Sequence, residues 1–323
     1  MLGMQRNSRY VLSVLFSCAA VPALAQPFPA KPVRLVVGLG AGAQTDTIAR
    51  LIGQKLSESW GQPVVIENRT GAGGVIAASM VAKATPDGHT LLLLTSFAIS
   101  AALSTNLPYD PLKDFAGVAQ VGFTTQALAA APAWGVKSVK ELIALAQSQP
   151  GKILYASGAA GLASHLNGEK FRLAAGIKVV NVAFKGGSDG VIETLAGRTQ
   201  YYFAGLAPVL PFIRDGRLLA LAVNTPQRSP VLPDVPTLGE TLIEFRKPES
   251  SSGMLAPAHT PRPILNQISK EIARVLNLPD VKERLQAIGL TPAPSTPDEY
   301  DKILREQITA LSKLVRDAGL RAR

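Results

Sequence analysis

The sequence predicts an α/β fold of two units, with largely parallel sheets on either side of a central cleft. Three observations point there. Apolar runs of strand length alternate with amphipathic helical stretches, the pattern of βαβ units. The alternation comes in two series, the first ending near Phe123 and the second near Phe245. Glycine-rich turns join strands to helices at the carboxyl ends of strands, where open α/β sheets place ligands.

The first series opens with a strand at 33–38, a Gly/Ala loop, and a helix from about 47 to 60 with Ile48, Leu51, Ile52 and Leu56 on one face. A strand at 64–67, a helix at 75–82 and a strand at 89–95 follow. Leu91 to Leu94 stand in a row, as in a strand buried on both faces. In the second series, strands at 126–131, 153–157, 179–184, 199–203 and 218–223 alternate with helices at 138–149, 163–175, 189–195 and about 209–215. Ser138 suits an N-cap. The tail reads as helices at 263–276, 279–288 and 297–318, each with proline at its start. With no strand-rich sheet of their own, these helices must pack on an earlier unit. The expected division is a leader at 1–25, a first lobe at 26–124 and 247–323, and a second lobe at 125–246.

The leader is read from Arg6 and Arg9 with no acid nearby, an apolar run at 11–20, and Ala23-Leu24-Ala25 before Gln26. That is a secretory signal peptide, cleaved near Ala25/Gln26. Its apolar run is far short of the ~20 residues that span a bilayer. Cys18, the single cysteine, falls inside it, so the mature chain has no disulfide and no Cys-ligated metal. Export also removes the supply of NAD and ATP, and no cofactor is expected. The formal charge of +10 is spread over single Lys and Arg residues. A nucleic-acid binder gathers them on one stripe with aromatics, so no nucleic-acid partner is expected. A positive field still speeds capture of small anions.

Three segments carry candidate chemistry. Gly38-Leu39-Gly40-Ala41-Gly42-Ala43 follows a strand and opens a helix, matching G-x-G-x-x-A, with Glu67 placed like a ribose-binding acid. Export argues against a dinucleotide, but a glycine turn before a helix also aims backbone N–H groups at a carboxylate. The second segment, 155–165, is a strand, a small-residue loop and a helix start. It makes a second anion cradle, with Ser157, Ser164 and His165 as side-chain donors. The third, Gly186-Gly187-Ser188-Asp189-Gly190, matches the G-x-S-x-G nucleophile elbow, and Asp234 and His259 follow in the order a hydrolase needs. An exported serine hydrolase using Ser188 is therefore an alternative. His89 and His165 lie far apart without a companion ligand, and no metal site is expected.

Taken in order, these segments resemble the Bug family, the periplasmic receptors of tripartite tricarboxylate transporters, over essentially the whole mature chain. The resemblance is carried by Lys31-Pro32-Val33-Arg34-Leu35-Val36-Val37, by Gly42-Ala43-Gln44-Thr45-Asp46, and by 61–69 followed by Gly71-Ala72-Gly73-Gly74. It continues in 86–92, Leu107-Pro108-Tyr109-Asp110-Pro111, Tyr155-Ala156-Ser157, 219–223 and 232–237. It implies a type II periplasmic-binding-protein fold that closes on a small, usually carboxylated, solute without catalysis. The implied partners are that organic acid and the membrane components of a transporter, with the receptor a monomer in the periplasm. A sensor without a transporter is the other non-enzymatic reading. The resemblance and the two anion cradles together place ligand contacts at Gly42, Ala43, Gln44, Thr45 and Asp46. Further contacts are expected at Thr95 and Ser96, at Ser157, Gly158, Ala159, Ala160, Gly161, Ser164 and His165, and at Lys185, Gly186 and Gly205. The chain departs from the family pattern in its proline-free first loop and in Ser251 and Ser252, where an aromatic is common. Another departure is Ala204-Gly205-Leu206, which lacks an acid that some members carry; this argues against a ligand ammonium.

Overall fold

The computed structural model describes residues 28–95, 97–104, 106–159, 162–184, 187–248 and 251–320. The expected leader lies outside them. In the first part of the chain, β1 (Val33–Val37), β2 (Val64–Asn68), β3 (Thr90–Leu94) and β4 (Phe115–Thr124) are joined by α1 (Gln44–Trp60), α2 (Val75–Ala82) and α3 (Phe97–Leu103). The second part contains β5 (Gln126–Ala130), α4 (Val139–Ser148), β6 (Leu154–Ser157), α5 (Ala163–Ala174) and β7 (Val180–Ala183). It continues through α6 (Gly187–Leu195), β8 (Tyr201–Gly205), α7 (Leu206–Arg214) and β9 (Leu219–Val223). The tail supplies β10 (Ser252–Pro257), α8 (Arg262–Leu276), α9 (Pro279–Ala287), β11 (Leu290–Pro292) and α10 (Pro297–Asp317).

Among the described residues these strands form two sheets, in the orders β11-β4-β10-β3-β1-β2 and β7-β6-β8-β5-β9. The chain leaves the first sheet along β4, passes Thr125, and enters the second as β5, between β8 and β9. It returns as β10, which lies between β3 and β4. Each sheet thus takes its crossing strand into the same slot. The βαβ part of each sheet is parallel (β1 with β2 and β3, β6 with β7 and β8). The crossing strands and β11 pair antiparallel. The expectation of parallel sheets therefore holds for the βαβ units, and the crossovers make both sheets mixed.

Local chemistry explains the elements. In α1, Ile48, Ile52 and Leu56 bury one face against Leu35 and Leu93. The helix stops at Gly61, whose φ of 63° makes a left-handed cap returning its N–H to Ser57 O. Helix α10 starts with a capping box: the Thr296 hydroxyl accepts from Glu299 N–H, and the Glu299 carboxylate accepts from Thr296 N–H at 2.8 Å. The tail helices pack on the first unit, α8 on α1 and β4, α10 on α3 and β4.

Three strands escaped the sequence reading. β4 has too much Gly and Ala for a strong strand signal. β10 opens with Ser252-Gly253 and ends at Pro257; Gly253 is needed there because the Tyr300 ring and hydroxyl occupy the space of a side chain. β11 is only three residues long.

Candidate functional site

The loop from β1 to α1 is held by its own residues. Gly42 takes φ 82°, open to glycine. The buried Asp46 carboxylate accepts from Gly42 N–H (2.9 Å), Arg50 Nε (2.9 Å) and Asn68 Nδ2 (3.0 Å). Burial alone would raise its pKa, but hydrogen bonds from Arg50, Gly42 and Asn68 outweigh that and hold the carboxyl below its usual range. Asp46 is thus a clasp on the loop, balanced by Arg50. Ala43 sits at the N-cap in extended backbone, and no side chain caps the helix. The first-turn N–H groups of α1 are therefore left for an outside acceptor. Thr45 is fully buried, and its hydroxyl meets that of Thr95 at 3.0 Å.

Across the cleft α5 begins the same way, with Leu162 extended at the N-cap and no side-chain cap. The fully buried Ser157 hydroxyl donates to Gly158 O (2.8 Å) and accepts from Asn181 Nδ2 (2.8 Å). Ser164 Oγ accepts from Gly158 N–H at 3.0 Å. Both hydroxyls brace the loop from behind. His165 is buried; desolvation lowers its pKa against the opposing charge of Glu169. Gly205 is the N-cap of α7, whose first N–H, from Leu206, goes to Thr125 O at 3.0 Å in the crossover.

Between the sheets lies a cleft of about 1150 Å³. Of the expected contacts, Gln44 and Thr95 line it, while Gly42, Ala43, Thr45, Asp46, Ser157, Gly158, Ala159, Ser164, His165 and Gly205 are not part of that lining. Ser96, Ala160, Gly161, Lys185 and Gly186 lie outside the described residues. Among the described residues no Asp or Glu lines the cleft.

Several lining residues were missed in the sequence. The hinge supplies Gln126 and Asn224: Asn224 Oδ1 accepts from Gln126 N–H (2.7 Å), and Asn224 N–H donates to Gln126 O (3.0 Å). Asn167, one turn into α5, donates to Gln126 Oε1. Ala72 and Gly73 line the wall in left-handed backbone, φ 46° and 65°. That conformation is strained for alanine. The Gly71-Ala72-Gly73-Gly74 run was visible; the amides, scattered over three segments, had no motif to announce them.

The residues of the two alternatives stand on different elements or are already paired. Ser188 is exposed in the first turn of α6, on the second sheet. His259 follows β10, whose Pro257 pairs with Phe115 at the end of β4 far from the hinge. At ~3.4 Å per residue that is roughly 30 Å from Thr125. Glu67, the candidate ribose ligand, is held by Arg34 (2.7 Å) and Arg69 (2.5 Å).

The sequence pattern of the tripartite tricarboxylate transporter family receptor matches residues 48–320. The protein BugT of Bordetella pertussis is 34% identical over 93% of this chain and 93% of its own length. Among solved structures, R. palustris Rpa4515 with adipate is 31% identical, with a TM-score of 0.73, covering 90% of this chain and 98% of that one. MatC from Rhodopseudomonas palustris with bound malate is 31% identical, with a TM-score of 0.68, covering 89% and 100%. The fold with its two mixed sheets, the cleft at their hinge and these matches along nearly the whole length agree: the chain belongs to the tripartite tricarboxylate transporter receptor family.

Proposed function

We propose that this protein is a periplasmic receptor that captures a small organic acid by its carboxylate and delivers it to the membrane components of a tripartite tricarboxylate-type transporter. The observation that carries this reading is the pair of uncapped helix N-termini, α1 and α5, meeting at one cleft with no acidic side chain among its described lining. Each such terminus carries about half a positive charge and unpaired N–H donors, so the two together favour a carboxylate. The relatives solved with adipate and malate hold carboxylates, in keeping with this. The protein works by binding and release, as a monomer, without catalysis. Lobe 1 (26–124 and 247–323) and lobe 2 (125–246) close on the solute about the hydrogen-bonded pair Gln126 and Asn224.

The test is calorimetric titration with C4–C8 carboxylates and their amides. A hydrogen bond to a charged group contributes about 1.5–3 kcal/mol, so an acid should bind at least tenfold tighter than its amide. An amide that binds as well as its acid would show that the carboxylate is not what the loops hold.

A further inference from the structure

We propose that α10 is a closure latch: together with α3 it grips Leu166 of α5 across the two lobes and so stabilises their closed arrangement. This rests on the hinge closure described under the proposed function, and it does not depend on which solute the cleft takes.

Helix α5 belongs to the second sheet. It joins β6 to β7, and its Phe171 is buried in the core of that unit. Leu166, on the same helix, goes elsewhere. It is 2% exposed, and the other fully buried members of its cluster are Ala98 and Ile99 from α3 and Leu311, Leu314 and Val315 from α10. Helix α3 joins β3 to β4, and α10 packs on α3 and β4, so both belong to the first sheet. The burial of Leu166 is therefore supplied by the opposite lobe. Ala163, three residues earlier and on the same face of α5, is partly buried against the same cluster.

Helix α10 is anchored as a latch needs to be. Near its start, the Asp301 carboxylate accepts from Gly117 N–H of β4 at 2.6 Å. Its middle holds the segment returning from the second sheet: Gln307 Nε2 donates to Pro248 O at 3.4 Å, and Glu306 pairs with Lys247 at 2.9 Å. The turns beyond carry Leu311, Leu314 and Val315. One helix thus runs from the first sheet, past the returning crossover, to the second lobe.

A hinge movement that parts the lobes draws Leu166 out of this notch and wets apolar surface on both sides, which opposes opening. Each buried methylene shifts such an equilibrium roughly three- to fourfold. Leu166→Ala removes an isopropyl group, and should move the balance at least tenfold toward the open form. Leu166 and Leu311 border the cleft, whereas Leu314 is not in its lining. Leu314→Ala therefore weakens the latch without touching a solute, and should move the balance the same way, roughly threefold or more.

Lobe separation can be read directly. Residues 26–323 contain no cysteine. Lys83→Cys at the end of α2 and Lys152→Cys before β6 place one spin label on an exposed site of each lobe. Double electron–electron resonance then gives the populations of short and long separations in solute-free protein. The expected result is a short component in the otherwise wild-type pair, a long-to-short ratio at least tenfold higher with Leu166→Ala, a smaller rise with Leu314→Ala, and the unaltered ratio with the volume-conserving Leu166→Met. Two components whose ratio ignores Leu166→Ala and Leu314→Ala overturn the latch and leave hinge closure standing. A single separation shared by all these proteins also overturns it. If that separation further persists with a saturating C4–C8 carboxylate that calorimetry shows to bind, hinge closure falls as well.

Discussion

Replacing Asp46 by alanine should destabilise the protein by about 2–4 kcal/mol while leaving a measurable fraction of carboxylate binding. The magnitude follows from what the carboxylate holds. Gly42 N–H and Asn68 Nδ2 are part-buried donors at 2.9 and 3.0 Å. Stranding each costs about 1–2 kcal/mol. Arg50 is half exposed, and its ion pair is screened by solvent and adds little. Asn68 keeps its second bond, to Leu39 O at 2.9 Å, so the loop loosens but stays tethered. The pH dependence has a definite sign. The folded-state pKa of Asp46 is depressed from an ordinary value of 3.8. Its stabilising contribution is therefore complete above that value and is lost as pH falls through the folded pKa. The gap between wild type and Asp46→Ala should be full at pH 7 and narrow below about pH 4. Urea denaturation at a series of pH values measures it, and titration with a bound acid measures the affinity. A variant with the wild-type urea midpoint at pH 7 and no binding would refute the clasp and make Asp46 a direct ligand contact.

Other expectations follow from single contacts. Gly253→Ala drives a methyl into the Tyr300 ring, and should lower stability by ~2 kcal/mol or more in the same denaturation assay. Ser157→Ala strands Asn181 Nδ2 beneath the second loop; a loss of about 1–2 kcal/mol with less than a fivefold change in affinity is expected, and an affinity loss with unchanged stability would place the hydroxyl in the ligand. Ala72→Gly relieves a left-handed alanine at φ 46°, and should leave the melting temperature equal or raise it, with a gain of up to ~1 kcal/mol. Solution scattering should give a smaller radius of gyration with saturating ligand, as two units joined by crossover strands close by hinge bending; an unchanged radius would mean that the cleft is already closed without it.

The parts of the fold that the sequence announces are those where local and tertiary preferences coincide. The proline at the start of each tail helix, the face of Ile48, Ile52 and Leu56, and the run Leu91–Leu94 each report burial through spacing alone. β10 does not, because its Gly253 answers to a neighbour 47 positions away, Tyr300, rather than to strand propensity. The site divides the same way. The glycine loops before α1 and α5 were legible, since a backbone that approaches a ligand needs small residues in a row. Which of their side chains face inward was not: Asp46 and Ser157 look like ligand donors by type, and the fold turns both back onto their own loops. Gln126, Asn167 and Asn224 converge only when β5, α5 and the segment after β9 are brought together, and no spacing in the chain encodes that.

The exchange of crossing strands gives the two halves different histories during synthesis. Every strand of the second sheet lies between residues 126 and 223, so that sheet can be completed once the chain has emerged to β9. The first sheet cannot. Its β3 and β4 stand one strand apart, and the gap is filled only by β10, from residues 252–257. Until then two facing edges present open N–H and C=O rows, a template for pairing with another chain. The half that begins first therefore finishes last, and the interval between residues 125 and 252 is when a nascent molecule is most exposed to aggregation. A chain cut short between β9 and β10 would carry one complete sheet and one sheet with a missing centre.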